Sequence, residues 1–143
     1  MTPLQRQLVE RSAEAVEAAR RAVADGDAST GANRAYYAMF YAAWALLADE
    51  PEIGRWHRSI HVAFGERFVK TGRLDARLHR WLLDAFDLRL LADYDLMTAI
   101  EIEIVAETVE QAAEFLASAS ALLADRSRAG RESAPSRPAR RGR

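Results

Sequence analysis

Arg89 is the residue whose placement most directly suggests chemistry. It follows Leu82, Ala85 and Phe86 at helical spacing, so a helix would aim it along the same stripe as these apolar residues. A guanidinium facing a core or an interface must find acceptors, because an unpaired buried charge is costly. Asp93 lies one helical turn further on, and Tyr94 and Asp95 follow. Two readings fit this spacing. In one, Arg89 and Asp93 form an i,i+4 ion pair that closes a helix end. In the other, they clamp an anion or phosphate at the mouth of a cleft between two copies of the chain.

Asn33 and Arg34 form a second polar group, followed at once by Tyr36 and Tyr37. They precede a long apolar run and so lie near a helix start, where free backbone N–H groups favour anions. The tyrosine rings could stack on bases. Equally, they could be core residues with hydroxyls at the rim. His57 and His61 are spaced i,i+4, with Glu66 beyond them. This pair could face zinc, but no third ligand is spaced to complete a tetrahedral site and no His-Glu-x-x-His motif occurs. His57 also reads as a single polar residue beside a cleft. Ser12 and Ser59 have no evident base, which leaves serine catalysis unsupported. There is no Gly-rich phosphate loop. The absence of cysteine excludes disulfides and thiolate metal sites and suits a reducing cytoplasm. No cofactor is implied.

Five helical segments must position these residues. Pro3 to Ala24 is rich in strong helix formers and stops at Asp25-Gly26-Asp27. Asp27 or Ser29 can cap a second helix that is apolar all round from Ala35 and ends near Leu47. Such a helix belongs at the centre of a bundle or in a dimer interface, and its girth points to self-association. Its 14-residue apolar run, Ala35 to Ala48, is too short to span a bilayer. Pro51 and Gly54 mark a loop. A third helix covers about His57 to Lys70, with Ile60, Phe64 and Phe68 as its stripe. Asp75 can cap the fourth, which carries Leu78, Trp81, Leu82, Ala85 and Phe86. Ile100 to Ile104 alternates as a strand would, but the residues downstream keep helical spacing, which predicts a fifth helix from about Thr98 to Leu123. The fold class is therefore all-α, an antiparallel bundle of about five helices.

The net charge of −1 hides an asymmetry. Residues 1–124 hold 13 basic and 19 acidic side chains, whereas residues 125–143 hold 7 arginines and 2 acids. The expected organisation is a helical domain over 1–124 and a basic tail over 125–143. The tail has too little apolar bulk to order itself. It is a solvated segment or a salt-dependent contact for nucleic acid. The acidic first helix has no apolar core of the kind a signal peptide needs.

Several of these motifs, in this order, resemble prokaryotic HEPN domains. Asn33-Arg34-Ala35-Tyr36-Tyr37-Ala38-Met39-Phe40 looks like the family signature. So do His57, Ala63-Phe64-Gly65, Phe68-Val69-Lys70-Thr71-Gly72 and the run from Leu88-Arg89 through Ala92-Asp93-Tyr94. The likeness covers roughly residues 5–120. It implies a bundle that dimerises around a cleft. Many relatives are metal-independent endoribonucleases, often toxins paired with a minimal nucleotidyltransferase antitoxin. Their site uses an Arg, then four to six residues, then a His. The Arg carries over to Arg89. Tyr94 stands where His is expected, no His follows His79, and Leu90 replaces the polar residue that often follows the Arg. Imidazole titrates near neutrality and can move a ribose 2′-hydroxyl proton. A phenol, with an ordinary pKa near 10, is a poor base. The resemblance thus implies a phosphate-holding Arg89, oriented by Asp93, with Tyr94 stacking, donating or serving as a nucleotidylation target. Asn33, Arg34, Tyr37 and His57 are the expected contacts for RNA or nucleotide, and a non-catalytic binding subunit of a nucleotidyltransferase pair is the alternative.

Overall fold

The computed structural model describes residues 1–133 apart from Pro51 and Arg55. Helix α1 (Pro3–Ala24) opens on a capping box. The Thr2 hydroxyl accepts from the Gln5 amide at 3.1 Å, and the Gln5 side chain accepts from the Thr2 amide at 2.9 Å. It ends where Gly26 adopts φ +75°, a left-handed turn that glycine enters without strain. Helix α2 (Ala28–Leu47) starts one residue after Asp27, whose carboxylate accepts from the Thr30 amide. Helix α3 (His57–Phe64) passes into a π-helical turn, Gly65–Val69, closed by the Lys70 amide on the Gly65 carbonyl. Helix α4 (Ala76–Tyr94) is capped by Asp75, and α5 (Ile102–Ser133) completes the chain's described helices. Among the described residues there is no strand, so the all-α bundle expected from the periodicity is the fold observed. No helix among them is long and apolar enough to cross a membrane.

Helix α2 is the axis of the structure and packs against each of the other four helices. Ala35, Tyr36, Ala38, Met39, Phe40, Ala42, Ala43, Ala45, Leu46 and Leu47 are all buried. Its apolar girth is therefore consumed inside one chain, which removes that girth as an argument for a second copy. Two details fix how closely its neighbours approach. The Ser12 hydroxyl, buried on α1, donates to the Ala38 carbonyl at 2.6 Å. Gly31 sits where α1 and α5 converge on α2, and a Cβ there would stand 2.7 Å from Val105 Cγ1.

The boundary expected at 124/125 is not where the helix ends. Helix α5 continues to Ser133 because Arg126 finds a docking point on the C-terminal end of α2. Its guanidinium donates to the Leu46 carbonyl at 3.2 Å and to Asp49 Oδ2 at 3.3 Å. The last carbonyls of α2 lack helical partners, and an arginine is well suited to satisfy one. Arg128 pairs with Asp125 one turn back, and the Met1 ammonium donates to Ser127 Oγ at 3.1 Å. Residues 134–143, with four of the tail's arginines, lie outside the described residues.

Gly31→Val should lower stability by roughly 1–3 kcal/mol through overpacking. Gly130→Ala, whose added Cβ meets nothing within 4 Å, should leave stability unchanged or slightly raised. Thermal melting of both variants checks this. A Gly31→Val protein that melts with the wild type would contradict the close approach of α2 and α5.

Candidate functional site

Asp93 joins the two polar groups picked out in the sequence. Its Oδ2 accepts from Arg89 Nε at 3.2 Å, one turn back on α4, and from Asn33 Nδ2 at 3.3 Å, across on α2. Asn33 in turn accepts from Arg34 through Nε and one NH2 group, at 3.0 and 2.8 Å. A continuous strip, Arg34–Asn33–Asp93–Arg89, thus links the N-terminal half of α2 to the C-terminal end of α4.

Behind this strip lies an aromatic floor. The Arg89 guanidinium sits 5.6 Å from the Tyr36 ring centre, 5.4 Å from Tyr37 and 5.8 Å from Phe86. Arg34 lies over the other side of the group, 5.1 Å from Tyr37. Each such cation–π contact contributes about 0.5–2 kcal/mol, depending on desolvation. The Arg89 side chain is only 12% exposed. Of its donors, only Nε–H is engaged; neither NH2 group has a hydrogen-bond partner among the described residues. The ion pair expected from i,i+4 spacing is therefore present, and it leaves both NH2 groups without a hydrogen-bond partner among the described residues.

Beneath the floor is a second polar chain. The hydroxyl of Tyr36, on a fully buried ring, lies 2.6 Å from His57 Nδ1 and 2.8 Å from His61 Nε2. The hydroxyl has one proton, so it donates to one imidazole and accepts N–H from the other. Burial pushes the Tyr36 phenol far above its ordinary pKa and keeps it protonated. Burial also lowers His61 to about 4, helped by the neighbouring His57 and His79. His57 is lowered too, first by burial and then by the Arg89 charge. The His57 ring packs on Phe40 at 4.5 Å and shares Tyr36, Tyr37 and Phe86 with Arg89. Helix α4 braces α3 just before the π-helical turn: His79 Nε2 bonds the His61 carbonyl at 3.1 Å. A Cβ at Gly65 would come within 2.8 Å of the His79 ring.

The fold thus brings together Arg89, Asp93, Asn33, Arg34, Tyr37 and His57. It does not bring in Tyr94, the last residue of α4, which is 73% exposed and has no hydrogen bond or ring contact with the cluster. Two members escaped sequence reasoning. His61 was visible only as half of an i,i+4 pair, and Tyr36 only as one of two adjacent tyrosines. Their meeting is a contact between helices, for which local spacing carries no signal.

The model of the HEPN domain matches residues 5–126, a span that contains every residue of this cluster. The chain belongs to the HEPN family. Its relatives include a UPF0332 protein of Gloeobacter violaceus, 37% identical over 94 residues, which are 66% of this chain and 75% of that one. A UPF0332 protein of Thermotoga maritima is 30% identical over 119 residues, 83% of this chain and 90% of its own. A protein of Methanocaldococcus jannaschii named "Putative toxin MJ0142" is 30% identical over 96 residues, 67% of this chain and 65% of its own.

The depressed histidines set a pH dependence. His61 in the folded chain resists protonation until about pH 4, whereas the unfolded chain takes up that proton near 6.5. Its contribution is complete above pH 6.5 and is lost as pH falls toward 4. His57 acts in the same direction. Melting temperature should therefore drop across this window, and the drop should be shallower in His61→Gln. An equal slope in both proteins would contradict the assignment.

Proposed function

We propose that this HEPN protein is a cytoplasmic toxin-type protein that binds RNA or a nucleotide, holding a phosphate at Arg89 in a cleft shared by two copies of the chain. The observation that carries this reading is the Arg89 guanidinium: largely buried, fixed through Nε alone, with both NH2 groups unpaired. Such a fork matches the oxygens of a phosphate. Tyr37 and His57 offer ring faces beside it, and Arg34 adds a second cation. The relative whose name includes the word toxin supports the biological role.

A second copy is supported by exposed apolar side chains at the same end of α4. Leu96 is 92% exposed and Met97 94%, next to Tyr94 and near Leu91. Large apolar groups left in water beside a polar cleft mark an interaction surface. A nucleotidyltransferase partner would compete for this surface. The second reading, a binding subunit that does not cut RNA, is favoured by Tyr94 in the place of the motif His.

Fluorescence anisotropy with labelled single-stranded RNA tests the reading. Arg89→Ala should weaken binding at least tenfold, about 1.4 kcal/mol, and Arg34→Ala less. Binding should weaken steeply with salt. Unchanged affinity in Arg89→Ala would overturn the site. Sedimentation should show two chains per particle, and one in the Leu96→Glu, Met97→Glu double variant. A wild-type monomer would remove the shared cleft. Growth arrest on induced expression should depend on Arg89.

A further inference from the structure

We propose that His57, oriented by the Tyr36 hydroxyl and His61, is the general base that takes the ribose 2′-hydroxyl proton when this chain cleaves RNA held at Arg89. The inference rests on the phosphate-binding reading above and gives that site its missing proton acceptor.

His57 and Arg89 flank the same three rings. The imidazole centre is 5.6 Å from Tyr36, 5.8 Å from Tyr37 and 6.0 Å from Phe86, and the guanidinium lies at similar distances from each. The two groups therefore share one aromatic cluster, close enough for the Arg89 charge to act on the imidazole. His57 Nδ1 is committed to Tyr36, while Nε2 has no hydrogen-bond partner among the described residues. Tyr94 has neither feature. It stands in solvent, outside the cluster.

The Tyr36 hydroxyl couples the two tautomers. If it donates to His61 Nε2, it accepts from His57 Nδ1–H, and His57 Nε2 then presents a bare lone pair. His61 carries its own proton on Nδ1 in that state. When Nε2 takes up a proton, the imidazolium keeps its Nδ1–H bond to the Tyr36 oxygen. Tyr36 and His61 are positioning residues, because they act on the substrate only through His57. The groups facing His57 are Tyr36 and Tyr37 from α2, His61 from α3 and Arg89 from α4. Burial and the Arg89 charge keep the ring neutral at pH 7, as a base must be.

The step balances without a metal or redox partner. The 2′-O–H bond breaks and its proton passes to His57 Nε2. The 2′-oxygen forms a bond to phosphorus, the bond from phosphorus to the 5′-oxygen breaks, and that oxygen leaves as a hydroxyl after taking a proton from water. Arg89 holds the charge that builds on the phosphate oxygens. The products are a 2′,3′-cyclic phosphate and a 5′-hydroxyl end.

The full chain is incubated with labelled single-stranded RNA in EDTA, and binding is measured in parallel. Wild type should cut, leaving cyclic-phosphate ends. His57→Gln should cut about a hundredfold more slowly or worse, a loss larger than any fall in its affinity. Tyr36→Phe, which removes one oxygen from a buried ring, should cut more slowly and displace the acid limb of the pH profile. Nitrogen NMR of the imidazoles should show both His57 and His61 protonated on Nδ1 at neutral pH. Binding without cutting overturns the base and spares the phosphate site, whereas absence of binding overturns both. Full cutting by His57→Gln, or loss of cutting in Tyr94→Phe with His57→Gln unaffected, assigns the proton elsewhere and overturns the proposal. So do Nε2-protonated rings.

Discussion

A phenol hydroxyl placed inside a helical bundle has to be hydrogen-bonded, and the way Tyr36 meets that demand organises this end of the molecule. Leaving a buried hydroxyl unpaired costs on the order of 1–3 kcal/mol. Helix α2 is surrounded by other helices, and Tyr36 is wholly buried among them. The partners come from α3, where His57 and His61 stand one turn apart and both reach the Tyr36 oxygen. That single atom fixes how α3 turns relative to α2 and makes two imidazoles share one proton pattern. It also holds them where burial disfavours their protonation.

The guanidinium of Arg89 poses the opposite problem. Exposed pairs such as Arg20–Glu110, 3.5 Å apart, are of the kind that contributes about 0–1 kcal/mol. Arg89 is far more withdrawn from water, and taking an ion out of water costs several kcal/mol. One oxygen of Asp93 and three ring faces offset part of that cost. Asp93 is not dedicated to Arg89 either, because the same oxygen also accepts from Asn33. The site is thus built with incomplete compensation for its cation. Neither NH2 group of Arg89 is buried without a partner, so solvent can reach the fork, and a phosphate arriving there would take the place of water.

Most of the fold was legible because each helix announces itself locally. Asp27 and Asp75 are the caps that their sequence positions suggest, and the apolar girth of α2 pointed to a bundle centre or an interface, of which the first is observed. Ile100 to Ile104, whose alternation is strand-like, leads into α5, which begins at Ile102 rather than near Thr98, and no strand among the described residues could pair with it. What was illegible is whatever depends on distant segments. The continuation of α5 past residue 124 rests on Arg126 reaching Leu46, far back in the chain. Of the site, Arg89–Asp93 is helical spacing and could be read directly. Asn33–Asp93 and Tyr36–His57 cross between helices and could not. The paired histidines lacked the third ligand that a metal site needs, and their common partner is a tyrosine on another helix, which spacing could not reveal.

Helix geometry also explains why Tyr94 stands apart from the cluster. With about 3.6 residues per turn, a residue four positions after Arg89 returns to within about 40° of it, which is where Asp93 makes its contact. A residue five positions on lies about 140° away round the helix. Tyr94 follows this rule and projects into solvent from the last turn of α4. Any side chain at that position, histidine included, would be turned from the Arg89 of its own chain. It could serve that arginine only in another copy. The intrachain cluster therefore does not lose a member through the tyrosine. The imidazole beside Arg89 comes from α3, at a height set by the Tyr36 hydroxyl.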